Sequence, residues 1–291
     1  MEEDKTLLGT ETIFNMEILY NKDMKLSLCL AVFNEEKNIH YPLDSAVDIA
    51  DEVIIVDGGS TDKTIKIAKS YGQKVKVITS PNPVMFHKNK QKAIEAAKGE
   101  WILQLDADEE LSDELKKEIK KIITNDTPLN PLSRGEYDRK QRGVFYVAYR
   151  VPRKNWFLTR FLEKGGQYPD YTIRLYKNGV ARFPCQDVHE NVEIKGEIGH
   201  LKNPLLHYAD PDFSRYLMRW DRYTSLEVEK MPKNTKLGFF NYIIWKPKIT
   251  FLLMYFRHKG FMDGFPGFVF ALFSSLRFIV IYVKWWMKFR R

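Results

Sequence analysis

Cysteine is scarce in this chain: Cys29 and Cys185 are the two among 291 residues. Two distant cysteines form neither a disulfide framework nor a zinc-ligand pattern. Cys29, inside the apolar run SLCLAVF, reads as a small core residue rather than a reactive thiol. The N-terminus lacks the basic-then-apolar order of a secretory signal; it is acidic and polar. No internal period of the solenoid kind recurs. A P-loop is also missing, because Gly58-Gly59 is not followed by the Gly-Lys-Ser/Thr that a phosphate cradle needs. These absences fit a reducing, cytoplasmic setting and exclude a stapled or repetitive fold. With 44% hydrophobic residues, the chain is long enough to bury a full α/β core unaided.

Acidic residues are nearly absent from the C-terminal end. Residues 246–291 hold nine Lys or Arg against one acid, Asp263, a surplus equal to the +8 of the whole chain. Phe, Trp, Tyr, Leu and Ile lie between these charges, a mixture that favours an anionic membrane surface over nucleic acid. The expected location is therefore peripheral, on the inner face of the cell membrane. Phe265–Met287 is long enough to cross a bilayer. Arg277 in its middle, Lys284 near its end and Pro266-Gly267 at its start favour an in-plane or interfacial helix, with a helix packed on the protein and a span as the other readings.

Residues 1–23 carry no pattern and read as an extension, with Met24 directly before the first strong strand. From there the chain alternates. Lys25–Phe33, Glu52–Asp57, Lys74–Thr79 and Trp101–Leu105 read as strands; Glu35–Ala50, Asp62–Tyr71, Lys88–Lys98 and Ser112–Thr124 read as helices, the last capped by Ser112. Such alternation predicts an α/β fold with a mostly parallel sheet flanked by helices, whose strand ends share one ligand-binding edge. Asn125–Arg142 reads as a loop, and Val144–Val151, Tyr171–Tyr176 and Val180–Phe183 as an antiparallel extension. Pro211–Met231 shows helical spacing through Phe213, Tyr216, Leu217, Trp220 and Thr224. The predicted organisation is a catalytic domain over 24–210 and a helical, basic-aromatic region over 211–291.

Three acidic positions fall on the predicted edge. Asp106-Ala107-Asp108 ends an apolar strand, and in extended chain residues i and i+2 point to one side, so both carboxylates are expected to converge on a hard divalent cation. Taken alone, such a triplet is also a solvated turn capping the next helix. Asp57 closes a strand before Gly58-Gly59-Ser60-Thr61-Asp62, where an acid can accept from a base or ribose and glycine lets a flat ligand approach. The same residues suit a plain turn between strand and helix. Glu35 follows the first strand at the same edge, where it also suits a helix N-terminus.

The segments LAVFNEE, IIVDGGSTDKT and KNKQKAIEAAKGEWILQLDADE, in this order over roughly residues 25–125, resemble family 2 glycosyltransferases of GT-A fold. YPDYTIRLYKNG, DVHENVEIKG, LKNPLLHYA and KGFMDGFPGF are similar to the bacterial branch that builds lipopolysaccharide inner core and related surface glycans. The resemblance implies a nucleotide-sugar donor, of UDP type, and a lipid-linked or cell-envelope glycan acceptor. It also implies Mg²⁺ or Mn²⁺ as cofactor. It implies that Phe33, Glu35, Asp57 and Gly58 serve the nucleoside, and that Lys88, Asp106 and Arg174 lie near ribose and diphosphate. Asp108 would hold the metal with Asp106, His189 and His207 being candidates for a further ligand. The base would be Glu190, with Asp170 in reserve. One base and direct displacement give inversion at the anomeric carbon. Two alternatives remain: a nucleotidyltransferase, which the acidic loop after the first strand disfavours, and a non-catalytic membrane-peripheral binding module, which the intact acids disfavour.

Overall fold

A computed structural model of the chain describes residues 24–83, 86–124, 145–185, 191–210 and 212–289. The extension 1–23, the loop at 125–142 and the candidates His189 and Glu190 lie outside these described residues.

The α/β reading holds. Strands β1 (Leu26–Val32), β2 (Glu52–Asp57), β3 (Val75–Thr79) and β4 (Trp101–Leu105) run parallel in the order β3-β2-β1-β4. Every residue of β2 and β4 is buried, and β1 is buried but for the half-buried Ala31. That is why these segments read as unbroken apolar runs: a parallel strand covered on both faces has no solvent side to alternate with. Helices α1 (His40–Ala46), α2 (Thr64–Lys69), α3 (His87–Ala96) and α4 (Asp113–Thr124) supply the cover. Ser112 Oγ accepts from the Leu115 N–H, the expected cap, and Leu115, Ile119 and Ile123 point into the core.

Two helices are shorter than expected. Asn34 adopts φ 54°, in the left-handed region, and the Glu35 carbonyl closes turns to Asn38 and Ile39, so α1 begins at His40 rather than Glu35. At α2 the Asp62 side chain takes the Thr64 N–H at 2.9 Å, a local bond that competes with helix, and α2 begins at Thr64.

The sheet then changes character. After the short β5 (Glu109–Leu111), β6 (Tyr146–Phe157) pairs antiparallel with the two-residue β7 (Arg160–Phe161) and with β8 (Asp170–Lys177), which lies antiparallel to β4. The two-stranded pair β9 (Ala181–Arg182) and β10 (Glu193–Ile194) stands apart. β11 (Glu197–His200) and β12 (Leu205–Asp210) both run parallel to β6, so the extension is mixed rather than wholly antiparallel.

The C-terminal region is helical: α5 (Phe213–Glu229), a helical stretch through 241–257 centred on α6 (Lys246–Leu252), and α7 (Gly264–Phe289). Rings of Phe157, Tyr216, Phe270 and Phe273 join the end of β6 to α5 and α7. The cations that interrupt the apolar run of α7 turn toward α5. Arg277 pairs with Glu227, and Lys284 Nζ reaches Asp221 Oδ1 at 2.7 Å and the Thr224 and Ser225 hydroxyls. One face of α7, including Val269, Ala271, Ile281 and Trp285, is buried on the protein. By length and composition, 260–289 would suffice to cross a membrane; here it is a helix packed on its own chain along one side.

Candidate functional site

The register of the parallel strands brings the loops together. Val32 pairs with Asp57 and Leu30 with Leu105, so the chain leaves β1, β2 and β4 at a common edge. The first two loops are laced to each other: the Asn34 N–H donates to Ser60 Oγ at 2.9 Å, the Thr61 N–H to Asn34 Oδ1 at 2.8 Å, and the Glu35 N–H to Thr64 Oγ1 at 2.7 Å. At this edge opens a cavity of about 600 Å³, walled also by β6, β12, α3, α5 and α7. That volume suits a small-molecule ligand.

Phe33, Glu35, Asp106, Asp108 and His207 line the cavity. Burial raises the Glu35 carboxyl above its ordinary pKa, although Asn38 donates to it at 2.7 Å. Asp57 is buried and faces its own turn, where its carboxylate accepts from the Gly59 and Ser60 N–H groups and, at 2.6 Å, from the Ser60 hydroxyl. Gly58 acts through its neighbour: a Cβ there would sit 3.2 Å from Asn82 Cβ, and Asn82 is part of the cavity wall. Neither Asp57 nor Gly58 lines the cavity itself.

Asp106 and Asp108 both line the cavity, but they reach it from a turn and not from an extended strand. β4 ends at Leu105, and residues 106–108 form a turn closed by the Glu109 N–H on the Asp106 carbonyl. The alternation of an extended strand therefore does not apply. Asp106 is held by two cations, its Oδ1 paired with Lys90 and its Oδ2 accepting from Arg174 Nη2 at 2.7 Å. Burial alone would raise its pKa; Lys90 and Arg174 outweigh that and hold it far below the carboxylate range. Both Asp106 oxygens are thus engaged by cations.

Arg174 is likewise not a free phosphate contact. It is buried, donates through Nε and Nη2 to the fully buried Glu109 at 2.8 Å each, and reaches Gln104 Oε1 at 3.3 Å. Burial opposes its charge, but Glu109 and Asp106 raise its pKa further. Lys88 is exposed and lies off the cavity; the cation beside Asp106 is Lys90, which does line it. Asp170 is not on the cavity wall either. Arg153 holds its Oδ2 through Nε at 3.1 Å and Nη2 at 2.7 Å, with Asn155 at 3.2 Å. Burial raises that carboxyl, yet Arg153 leaves it lowered overall, a poor setting for a base.

Asp108 faces the cavity and His207. Its Oδ1 is 3.6 Å from His207 Nε2, while His207 Nδ1 lies 2.7 Å from Asn155 Oδ1. Burial would raise Asp108, but the hydrogen bond and charge of His207 leave it lowered. Two donors on one octahedral ion, each about 2.0–2.1 Å from it, lie roughly 3–4 Å apart, so this pair fits a shared Mg²⁺ or Mn²⁺. Among the described residues no group of three or more His, Cys, Asp or Glu side chains could hold a metal ion. The fit is therefore to a cation that completes its shell with phosphate oxygens and water, not to a closed protein cage.

The sequence reading missed Lys90, Glu109, Arg153, Asn155, Asp210 and Arg219. Asp210, at the end of β12, is buried on the cavity wall. Its Oδ2 pairs with Arg219 of α5, its buried Oδ1 has no hydrogen-bond partner among the described residues, and burial lifts its pKa despite Arg219. Its place three residues after His207, near the close of an apolar strand, is its one signal in the sequence.

Residues 27–181 match the family model for glycosyl transferase family 2. An uncharacterized glycosyltransferase of Rickettsia typhi is 30% identical over 269 residues, covering 88% of this chain and 85% of its own. The lipopolysaccharide core biosynthesis glycosyltransferase LpsC of Rhizobium meliloti is 25% identical, covering 87% and 88% respectively. Among solved structures, residues 1–349 of S. aureus TarS in complex with UDP superpose with a TM-score of 0.44 at 17% identity, over 92% of this chain and 89% of that one.

Proposed function

The chain belongs to glycosyl transferase family 2 and is a glycosyltransferase; from that premise we propose that it moves a sugar, with inversion, from a UDP-type donor to a glycan of the cell envelope, with Mg²⁺ or Mn²⁺ at Asp108 and His207. The carrying observation is the Asp108–His207 pair, open to a cavity at the carboxyl edge of a parallel sheet, with Lys90 close by. Phe33 and Glu35 are at the side where the nucleoside would enter, and Lys90 offers a cation toward the diphosphate. A divalent cation, when bound, would neutralise charge on the departing nucleoside diphosphate. The similarity to a lipopolysaccharide core enzyme supports the choice of acceptor class.

The acceptor hydroxyl needs a carboxylate aligned behind the anomeric carbon. Glu190 is the candidate from the sequence. Asp210 is a second candidate: it has a raised pKa and an oxygen with no hydrogen-bond partner among the described residues. Asp170, whose pKa Arg153 and Asn155 leave lowered, lacks the first of these.

A screen of nucleotide sugars with Mn²⁺ or Mg²⁺, following nucleoside diphosphate release, tests the reading. Release from a UDP-sugar that stops on chelation is the expected result; metal-independent release, or none from any nucleotide sugar, overturns it. Glu190→Gln and Asp210→Asn then separate the bases. The variant of the true base keeps nucleotide binding and loses transfer by about 100-fold or more.

A further inference from the structure

The basic-aromatic end of the chain is not explained by the cavity, and its geometry points to a partner. From Lys230 to Arg291 the chain contains one acid, Asp263, against twelve Lys or Arg. That acid is buried and turned inward: its Oδ2 accepts from the Glu163 and Lys164 N–H groups at 3.1 and 2.8 Å, and Arg160 approaches its Oδ1 at 3.5 Å. No carboxylate among the described residues of this stretch therefore faces solvent.

The apolar side chains behave in the opposite way. Phe240, Trp245, Phe256 and Phe265 are 74%, 59%, 56% and 72% exposed. Along the helical stretch 241–257, Ile244, Lys248, Leu252 and Phe256 recur at intervals of four and are all exposed, the spacing of one helix face. The other face is satisfied. Phe251 and Tyr255 pack on Phe268 of α7 with ring centroids 5.9 and 5.7 Å apart, and Lys246 lies over Tyr242 at 3.8 Å. Arg257 and Lys259 are exposed at the end of the same stretch. Soluble monomers rarely leave such a contiguous aromatic ridge in water.

We propose that the ridge formed by residues 239–262, continued by Phe265 on α7, docks in the plane of an anionic bilayer. Aromatic side chains enter the headgroup–acyl boundary while Lys248, Arg257 and Lys259 meet lipid phosphates. A ridge ringed by cations and free of exposed acids is complementary to an anionic lipid face. A second copy of the chain would bring the same cations against each other. The docking element is thus the helical stretch before α7 rather than a spanning α7, whose Arg277 and Lys284 are committed to α5. The ridge is also tied to the cavity rim. The Gly165 N–H donates to the His258 carbonyl at 2.9 Å, and Asp263 holds the loop carrying Leu162 and Gln167, both in the cavity wall. Docking there places a bilayer beside the cavity mouth. The proposal stands whichever sugar is moved, because its readout is binding and not transfer.

The test is flotation of the full chain with vesicles of phosphatidylcholine alone and of phosphatidylcholine mixed with phosphatidylglycerol. The wild type is expected to float with the mixed vesicles, to do so less at high salt, and to bind neutral vesicles weakly. Joint Trp245→Ser, Leu252→Ser and Phe256→Ser substitutions should cut the bound fraction at least tenfold at unchanged melting temperature. Joint Lys248→Glu and Arg257→Glu should abolish the preference for the mixed vesicles, a readout that stands even if the apolar variant folds poorly. Equal flotation of wild type and charge-reversed chain overturns the proposal. So does a wild type that ignores both vesicles and sediments as a dimer, since the ridge then belongs to a second copy.

Discussion

Asp106 and Asp108 are two residues apart in one turn, yet they belong to cavity walls of different kinds. Behind Asp106 each charge is answered. Arg174 spans Glu109 and Asp106, Lys90 closes the other Asp106 oxygen, and Glu109 also accepts the Asp106 N–H at 3.0 Å. The wall of Asp108, His207 and Asp210 is loosely held. Asp108 stands 3.6 Å from His207, and one Asp210 oxygen has no partner among the described residues. A paired cluster has a fixed shape and little to offer a ligand beyond Lys90, which also lines the cavity. An underpaired one retains donors and acceptors for substrate, at the cost of desolvated charge. The difference assigns the first wall to architecture and the second to chemistry.

The largest effect should come from breaking the paired wall. Arg174→Met would leave Glu109, which is fully buried, with only Arg153 at 3.4 Å and the Asp106 N–H. Removing one member of a buried charge cluster costs about 3–5 kcal/mol, readable by urea unfolding. The pH dependence has a definite sign. The folded-state pKa of Asp106 is depressed, so its contribution is present above the unfolded-state value of about 3.9 and is lost as pH falls toward the depressed value. Arg174→Met removes part of that depression, so its acid transition should move to higher pH than the wild type's. A variant that unfolds like the wild type, yet has lost transfer, would move Arg174 to the chemical wall.

The open wall predicts the reverse pattern. Asp108→Asn keeps the volume and removes the charge facing His207. Its stability should stay within about 1 kcal/mol of the wild type, while metal-dependent release of nucleoside diphosphate falls about 100- to 1000-fold. Titration of Mn²⁺ should show weakened cation dependence rather than a weaker fold. Full activity in this variant would erase the distinction between the walls.

Much of the fold was legible because burial leaves a mark in sequence. β1, β2 and β4 are apolar runs since both their faces are covered, and α4 carries its own cap at Ser112. Helix starts were less legible, because Asn34 and Asp62 divert the backbone by local means that spacing does not show. Glu35 and Asp108, read at the sheet edge, and His207, read only as a candidate metal ligand, all line the cavity. The paired wall was not foreseen. Arg174 and Glu109 are 65 residues apart, and nothing local distinguishes a strand arginine that finds a buried carboxylate from one in solvent. The turn of the chain after Leu105 was equally hidden.

The smallest predicted effect sharpens the comparison at one helix. Lys88 and Lys90 both lie on α3, and the resemblance picked Lys88. Residues two apart on a helix point about 200° from each other, so one helix cannot aim both at the cavity. Lys90 is buried, lies 5.1 Å over the Phe86 ring and pairs with Asp106, while Lys88 is exposed. Lys88→Ala should change stability by less than about 0.5 kcal/mol and leave the donor KM where it was. Lys90→Ala should raise the donor KM and lower the melting temperature together, because Lys90 serves the paired wall on one side and the cavity on the other. A raised KM in Lys88→Ala with none in Lys90→Ala would require α3 to turn by half a revolution, and with it the boundary drawn between the two walls.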